Sequence, residues 1–129
     1  MNYNELTRRY FENACDYAGV LIGPDCFRGA SGGRAQGSWV QFDLQIDKSA
    51  RPATIRAARF LAFACPHVIA VSSWLAEQAQ GREIQAQLPE GVQSLRERFD
   101  VPIPKVGRLL IVEDAWLAAL RAAQAVRAK

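Results

Sequence analysis

Between Val40 and Asp47 the chain alternates without a break: Val40, Phe42, Leu44 and Ile46 are apolar, and Gln41, Asp43, Gln45 and Asp47 are polar. A period of two predicts a strand with one face in the core and the other in water, as antiparallel sheets show. Upstream, five glycines between Gly19 and Gly33 predict a loop, then a strand near Asp25–Ala30, then a tight hairpin turn. Downstream, KSARP reads as a turn and Ala53–Ala64 (ATIRAARFLAFA) as a third strand, although its alanines leave a helix open.

The period changes at Pro66. Val68, Val71, Leu75 and Ala79 fall at helical spacing, and Gly81 stands where that helix would stop. Residues 83–99 predict one or two short helices, broken near Pro89 and Gly91. The two prolines of VPIPK (101–105) predict an extended segment. A last helix is expected from near Leu109, with Leu109, Val112, Trp116, Leu120 and Ala123 on one face. Glu113 and Asp114 lie toward its start, and Arg121, Arg127 and Lys129 toward its end, as the macrodipole favours. At the other terminus, residues 4–12 predict a short helix with Leu6, Tyr10 and Phe11 on its apolar side and Asn2 or Asn4 as cap. The sum is an α+β fold: a three-stranded antiparallel sheet with helices packed mainly on one face.

A length of 129 residues fits one domain over 1–129. Half the residues are apolar and 22% are charged, the mix of a globular chain rather than a disordered one. No apolar run approaches the ~18 residues that span a bilayer. The opening MNYNELTRRY lacks the layout of a signal peptide. The expectation is a cytoplasmic protein with no membrane partner. The net charge of +3 is carried by loosely grouped residues such as Lys48, Arg51, Arg56 and Arg59. No recognition motif accompanies them, so they read as a solvated surface and no nucleic acid is expected.

The three cysteines are Cys15, Cys26 and Cys65. Their odd number, wide spacing and lack of a C-x-x-C argue for reduced thiols rather than disulfides or a self-contained zinc site. Cys65 stands apart, in FACPHVIAVSSW. Pro66 suits the first position of a helix, which puts Cys65 at its cap. Unpaired backbone N–H groups and the positive end of the dipole favour thiolate there. A thiolate binds iron or zinc, or attacks sulfur, and His67 is near enough to be a second ligand or proton partner. The plainer reading is a small buried cysteine at a strand–helix junction, with His67 at the edge of the core.

Four blocks of the chain, in order, resemble the NifU-like, IscU-type iron–sulfur cluster scaffold family. RRYFEN is similar to the end of that family's first helix. AQGSWVQFDLQID resembles the loop and strand that carry its first ligand, within Cys-Gly-Asp. ARFLAFACPHVIAVSSWLAE resembles the strand, cysteine and helix of its second. KVGRLLIVEDAWLAALRAA resembles the block with a His-Cys-Ser segment before the last helix. The resemblance implies a NifU/SufE-like fold and a cargo of iron or an iron–sulfur cluster. It also implies a cysteine desulfurase or an assembly chaperone as partner.

Carried over residue by residue, it puts only Cys65 on a family cysteine. Gln36 falls at the first cysteine, Ser38 at the aspartate, Gly107 at the histidine and Arg108 at the third cysteine. The segment that resembles the family's chaperone-recognition peptide reads Val101, Pro102, Ile103, Pro104, Lys105, a candidate docking edge. Three readings follow, and no enzyme is expected. The chain takes part in cluster assembly with iron or a cluster at a degenerate site of Cys65 and His67, a second protomer of a homodimer or a partner adding a ligand. Or it is a metal-free pseudo-scaffold that binds or regulates other proteins. Or Cys65 is a sulfur-carrying thiol.

Overall fold

A computed structural model describes residues 3–84 and 88–127, without the side chains of 126 and 127. The alternating segment is the central strand of a three-stranded antiparallel sheet in the order β1-β2-β3. Strand β1 is Cys26–Gly33, β2 is Ser38–Asp47 and β3 is Thr54–Phe63. In the first pair Cys26 lies opposite Gln45 and Gly33 opposite Ser38. In the second, Trp39 lies opposite Phe63 and Asp47 opposite Thr54, with one irregularity at Gln45/Ile46. Around the sheet stand helices α1 (Glu5–Glu12), α2 (Pro66–Ala79), α3 (Val92–Arg98) and α4 (Val106–Arg127). Among the described residues no helix is long and apolar enough to cross a membrane.

The core lies where the alternation places it. Val40, Phe42, Leu44 and Ile46 are all buried, and Phe42 meets Trp116 of α4 edge to face at 5.1 Å. Each such side chain contributes about 1.5–3 kcal/mol by leaving water. Helix α4 packs on β1 and β2, α2 on β3, and α1 on α2. Because α2 is enclosed by both sheet and helices, it is buried almost all round, Ser72 and Ser73 included. The seat of α4 on β1 depends on Gly29, where a methyl group would overlap the α4 backbone at Ala119 and lie 2.7 Å from the Ala115 carbonyl oxygen. Strand β1 also runs three residues past the expected Ala30. Gly32 makes this feasible with a φ of +88°, at a point where any side chain would run into the Ser38 carbonyl.

The expectation of a wet polar face on β2 is overturned. Gln41 and Asp43 are buried. After α1 the chain makes a short 3-10 turn at Ala14–Asp16, and Ala18 then bridges to Phe60 on the outer edge of β3. It next crosses the sheet face, where the Leu21 N–H donates to Asp43 Oδ2 at 2.9 Å. Arg28 adds two bonds to the same carboxylate, at 2.8 and 3.0 Å, and Gln41 Nε2 a longer one at 3.3 Å.

The VPIPK expectation also changes. Ile103–Lys105 is a 3-10 turn that leads directly into α4, which starts at Val106, three residues before Leu109. Proline forbids helix interiors but fits a first turn, where its missing N–H is not needed, so both prolines are accommodated. Asn4 caps α1, its side chain accepting from the Thr7 N–H at 2.8 Å. The alternative cap Asn2 and the terminal Lys129 lie outside the described residues, as do 85–87 within the segment expected to hold short helices. That segment holds α3.

Candidate functional site

Strand β3 ends at Phe63, and two residues later Cys65 turns the chain into α2. Cys65 is extended, with φ −74° and ψ 164°, and Pro66 opens the helix. The Ile69 N–H closes the first turn on the Cys65 carbonyl at 3.1 Å. The strand delivers the thiol to the sheet end and the proline fixes where the helix begins, so the half-buried sulfur lies at the N-terminus of α2, where the Val68 amide acts on it.

The opposing wall comes from the start of α4. Burial pushes the Cys65 thiol pKa up, but the Val68 amide, the Arg108 guanidinium and the charge of Lys105 outweigh it and hold the thiol below its ordinary value. His67, the second residue of the helix, is 2% exposed. The Tyr3 ring meets it edge-on with centroids 4.7 Å apart. Its Nδ1 has no hydrogen-bond partner among the described residues. Burial, Lys105 and Arg108 lower the His67 pKa against the opposing pull of Asp100, so the fold disfavours the imidazolium. The structure therefore brings Cys65, His67, Lys105 and Arg108 into one electrostatic neighbourhood.

The other predicted positions do not join as ligands. Gln36 is exposed on the β1–β2 turn, and its side-chain oxygen lies back over Gly33. Ser38 is buried and its hydroxyl is unpartnered among the described residues. Gly107 is exposed on the first turn of α4. Cys15 is exposed after α1, and Cys26 lies at the far end of the β1–β2 hairpin, opposite Gln45. Burial and then the charges of Asp43 and Asp25 raise the Cys26 pKa, the opposite of what a reactive thiol needs. Among the described residues no group of three His, Cys, Asp or Glu side chains is placed to hold a metal ion.

Two features of the site escape the sequence reading. Lys105, assigned only to a docking edge, faces Cys65 electrostatically. And Gly33, Arg34, Trp39 and Phe63 line an open hollow of about 610 Å³ at the same end of the sheet. Phe63 is 67% exposed and Ile103 73%, the latter on the 3-10 turn beside Pro102 and Pro104. Both are large apolar side chains left open to solvent, Phe63 two residues before Cys65 and Ile103 two before Lys105. The available signal was an aromatic residue at a strand end two positions before a cysteine.

The arrangement defines an α+β protein with a lone thiol at a strand-to-helix junction, walled by cations. A sequence profile for the NifU-like N terminal domain matches residues 2–127, and the chain belongs to that family. Two solved structures share the fold. One is a nitrogen-fixing NifU-like protein (N-terminal part) from Brucella abortus, with a TM-score of 0.71 and 18% identity over 95% of this chain and 94% of that one. The other, from Fervidobacterium islandicum AW-1, is described as a candidate iron–sulfur cluster assembly scaffold protein for the SUF system. Its TM-score is 0.67 and its identity 17%, over 94% of this chain and 96% of that one. No curated protein matches this chain.

Proposed function

We propose that this chain serves iron–sulfur cluster assembly as a scaffold-fold protein that docks onto the assembly partners, without carrying a cluster on its own residues. Family membership and the two scaffold-like folds support the first half of that reading. The second half rests on Arg108. A [2Fe–2S] cluster takes four strong ligands, mostly thiolates. The positions that resemble the ligand set supply one thiol, Cys65, beside Gln36, Ser38, Gly107 and Arg108. A guanidinium has no lone pair to give and sets a positive charge against the sulfur. The donor set does not fit the cluster.

The docking surface in this reading is the end of the sheet: Phe63 and Trp39, with Pro102, Ile103, Pro104 and Lys105. A cysteine desulfurase or an assembly chaperone is the partner class it serves. The lowered thiol pKa favours a second reading, that of a sulfur acceptor. There the Cys65 thiolate attacks the outer sulfur of a donor persulfide, the donor leaves as its own thiolate, and Cys65 becomes the persulfide.

Anaerobic reconstitution with ferrous iron and sulfide tests the main reading. Iron, zinc and acid-labile sulfide per chain are expected to be far below stoichiometric in the wild type and unchanged in Cys65→Ser. One cluster per chain, lost in Cys65→Ser, overturns it. Co-purification with a desulfurase that Phe63→Asp weakens supports the docking half; no capture, where an intact scaffold is captured, sinks it.

A further inference from the structure

The two outer edges of the sheet are treated differently. Along β3, Ala18 bridges to Phe60, whose N–H donates to the Tyr17 carbonyl and whose carbonyl accepts from Gly19, both at 2.9 Å. Nearer the start of β3, the Ile55 N–H donates to Arg82 at 2.8 Å and its carbonyl accepts from Gly81 at 2.7 Å. At the head of β1, the Asp25 carbonyl accepts from the Ile46 N–H at 2.8 Å. With the β1–β2 register, that points the odd residues of β1 at β2 and the even ones outward. Cys26, Arg28, Ala30 and Gly32 therefore hold their backbone N–H and C=O groups toward the outer edge. Among the described residues no strand or loop bridges to them. Arg28, Ala30 and Gly32 are exposed. The strand lacks the proline or lysine that blunts many edges, and its one charge, Arg28, is drawn onto Asp43.

We propose that this edge pairs with the same edge of a second copy of the chain, antiparallel, around a two-fold axis at Gly29, so that one continuous sheet runs through both protomers. That register uses every outward residue: Cys26 exchanges bonds with Gly32 of the other copy, and Arg28 with Ala30. Moving the axis to Arg28 sets two guanidinium side chains opposite each other, and moving it to Ala30 leaves Cys26 without a mate. Helix α4 gives the reason for a second copy rather than a foreign strand. Gly29 lies under α4 at Ala115, Ala118 and Ala119, so the axis falls near Ala118. Two such helices, seated over β1 and β2 of each copy, come to about 8–10 Å apart, a spacing that needs small side chains. Ala115, Ala118, Ala122 and Ala125 supply them at helical spacing. Asp114 and Arg121 stand four residues before Ala118 and three after it, both exposed and in no ion pair among the described residues. Antiparallel α4 helices meeting at Ala118 set Asp114 of each copy beside Arg121 of the other, so the surface is complementary in charge to itself. The interface is independent of Cys65 and of the cluster-assembly reading.

Sedimentation velocity of the full chain over a concentration series tests this, with far-UV circular dichroism to check folding. The wild type is expected to be dimeric at about 100 μM. Ala30→Pro removes an outward N–H that β2 does not use, and should weaken the dimer at least about tenfold. Asp114→Arg should weaken it about threefold by setting like charges side by side, and adding Arg121→Asp should restore it. This charge swap reads the interface even where the proline variant unfolds. A chain that stays monomeric at about 1 mM overturns the proposal. So does a dimer that a folded Ala30→Pro leaves intact, or one that the charge swap fails to restore. Dissociation by Phe63→Asp, with Ala30→Pro without effect, moves the contact to the Cys65 end of the sheet and overturns it too.

Discussion

Asp43 and His67 are both buried polar side chains, 1% and 2% exposed, yet the protein treats them in opposite ways. Around Asp43 both oxygens are taken, by Arg28, Gln41 and the Leu21 amide. The loop that supplies Leu21 is thereby tied across the sheet. Around Cys65 and His67 polar and charged groups are gathered, and one of them is left over. An imidazole nitrogen has no partner among the described residues, and a thiol held toward thiolate faces Lys105 and Arg108. A satisfied centre stabilises a fold. A centre whose hydrogen-bonding capacity is left over is where a partner or ligand has something to gain.

The contrast breaks first at Asp43. Asp43→Ala removes the acceptor for the half-buried Leu21 amide and for Gln41, while Arg28, 51% exposed, returns to water. The expected loss is about 2–3 kcal/mol, below the cost of a fully buried ion pair because one partner is wet. Chemical denaturation measures it. A loss under about 1 kcal/mol means that the carboxylate is not what ties the loop down.

The same contrast explains what could be read in the sequence. The sheet, its strand order and the helix after Cys65 follow from periods of two and 3.6, which are local. The burial of Asp43 does not, because it depends on residues 18–21 lying across a strand more than twenty positions later in the chain. Alternation says which residues share a face, not what will cover that face. The prolines of VPIPK misled for a related reason: their bar on helix interiors says nothing about the first turn that Ile103–Lys105 occupies. At the site, Cys65 and its cap position were visible through Pro66. The approach of Lys105 and Arg108 emerged only with the packing of α4, and the Trp39–Phe63 hollow only with the β2–β3 register.

His67 sharpens the comparison next. Its pKa is lowered in the fold, mainly by burial and further by Lys105 and Arg108. Below the ordinary value of about 6.5 the unfolded chain therefore takes up a proton that the folded chain resists, and stability falls as pH falls. His67→Phe keeps an aromatic ring against Tyr3 and has no such proton. Stability at pH 7 is expected to change by less than about 1 kcal/mol. Between pH 7 and 5 the variant should gain about 1 kcal/mol on the wild type. Parallel pH profiles in thermal or urea unfolding would mean that the imidazole is solvated or protonated in the fold.

The smallest effect concerns Cys65 itself, and it decides whether the open centre has chemistry. The Cys65 thiol is held below its ordinary pKa, so its thiolate contribution to stability is full above about 8.5 and is lost as pH falls through the lowered folded value. Wild type should therefore gain slightly on Cys65→Ser as pH rises through that window, with little difference below it. Alkylation reads the same quantity directly. The rate at Cys65, followed by mass spectrometry of its peptide, should rise with a midpoint below the usual thiol value. Arg108→Leu should move that midpoint up and slow the reaction at pH 7 by about threefold, because a cation that favours thiolate has gone. The exposed Cys15 serves as internal control and should not respond. If Arg108→Leu leaves the Cys65 midpoint where it was, the guanidinium does not act on the sulfur. The leftover capacity at this end of the sheet would then belong to docking alone.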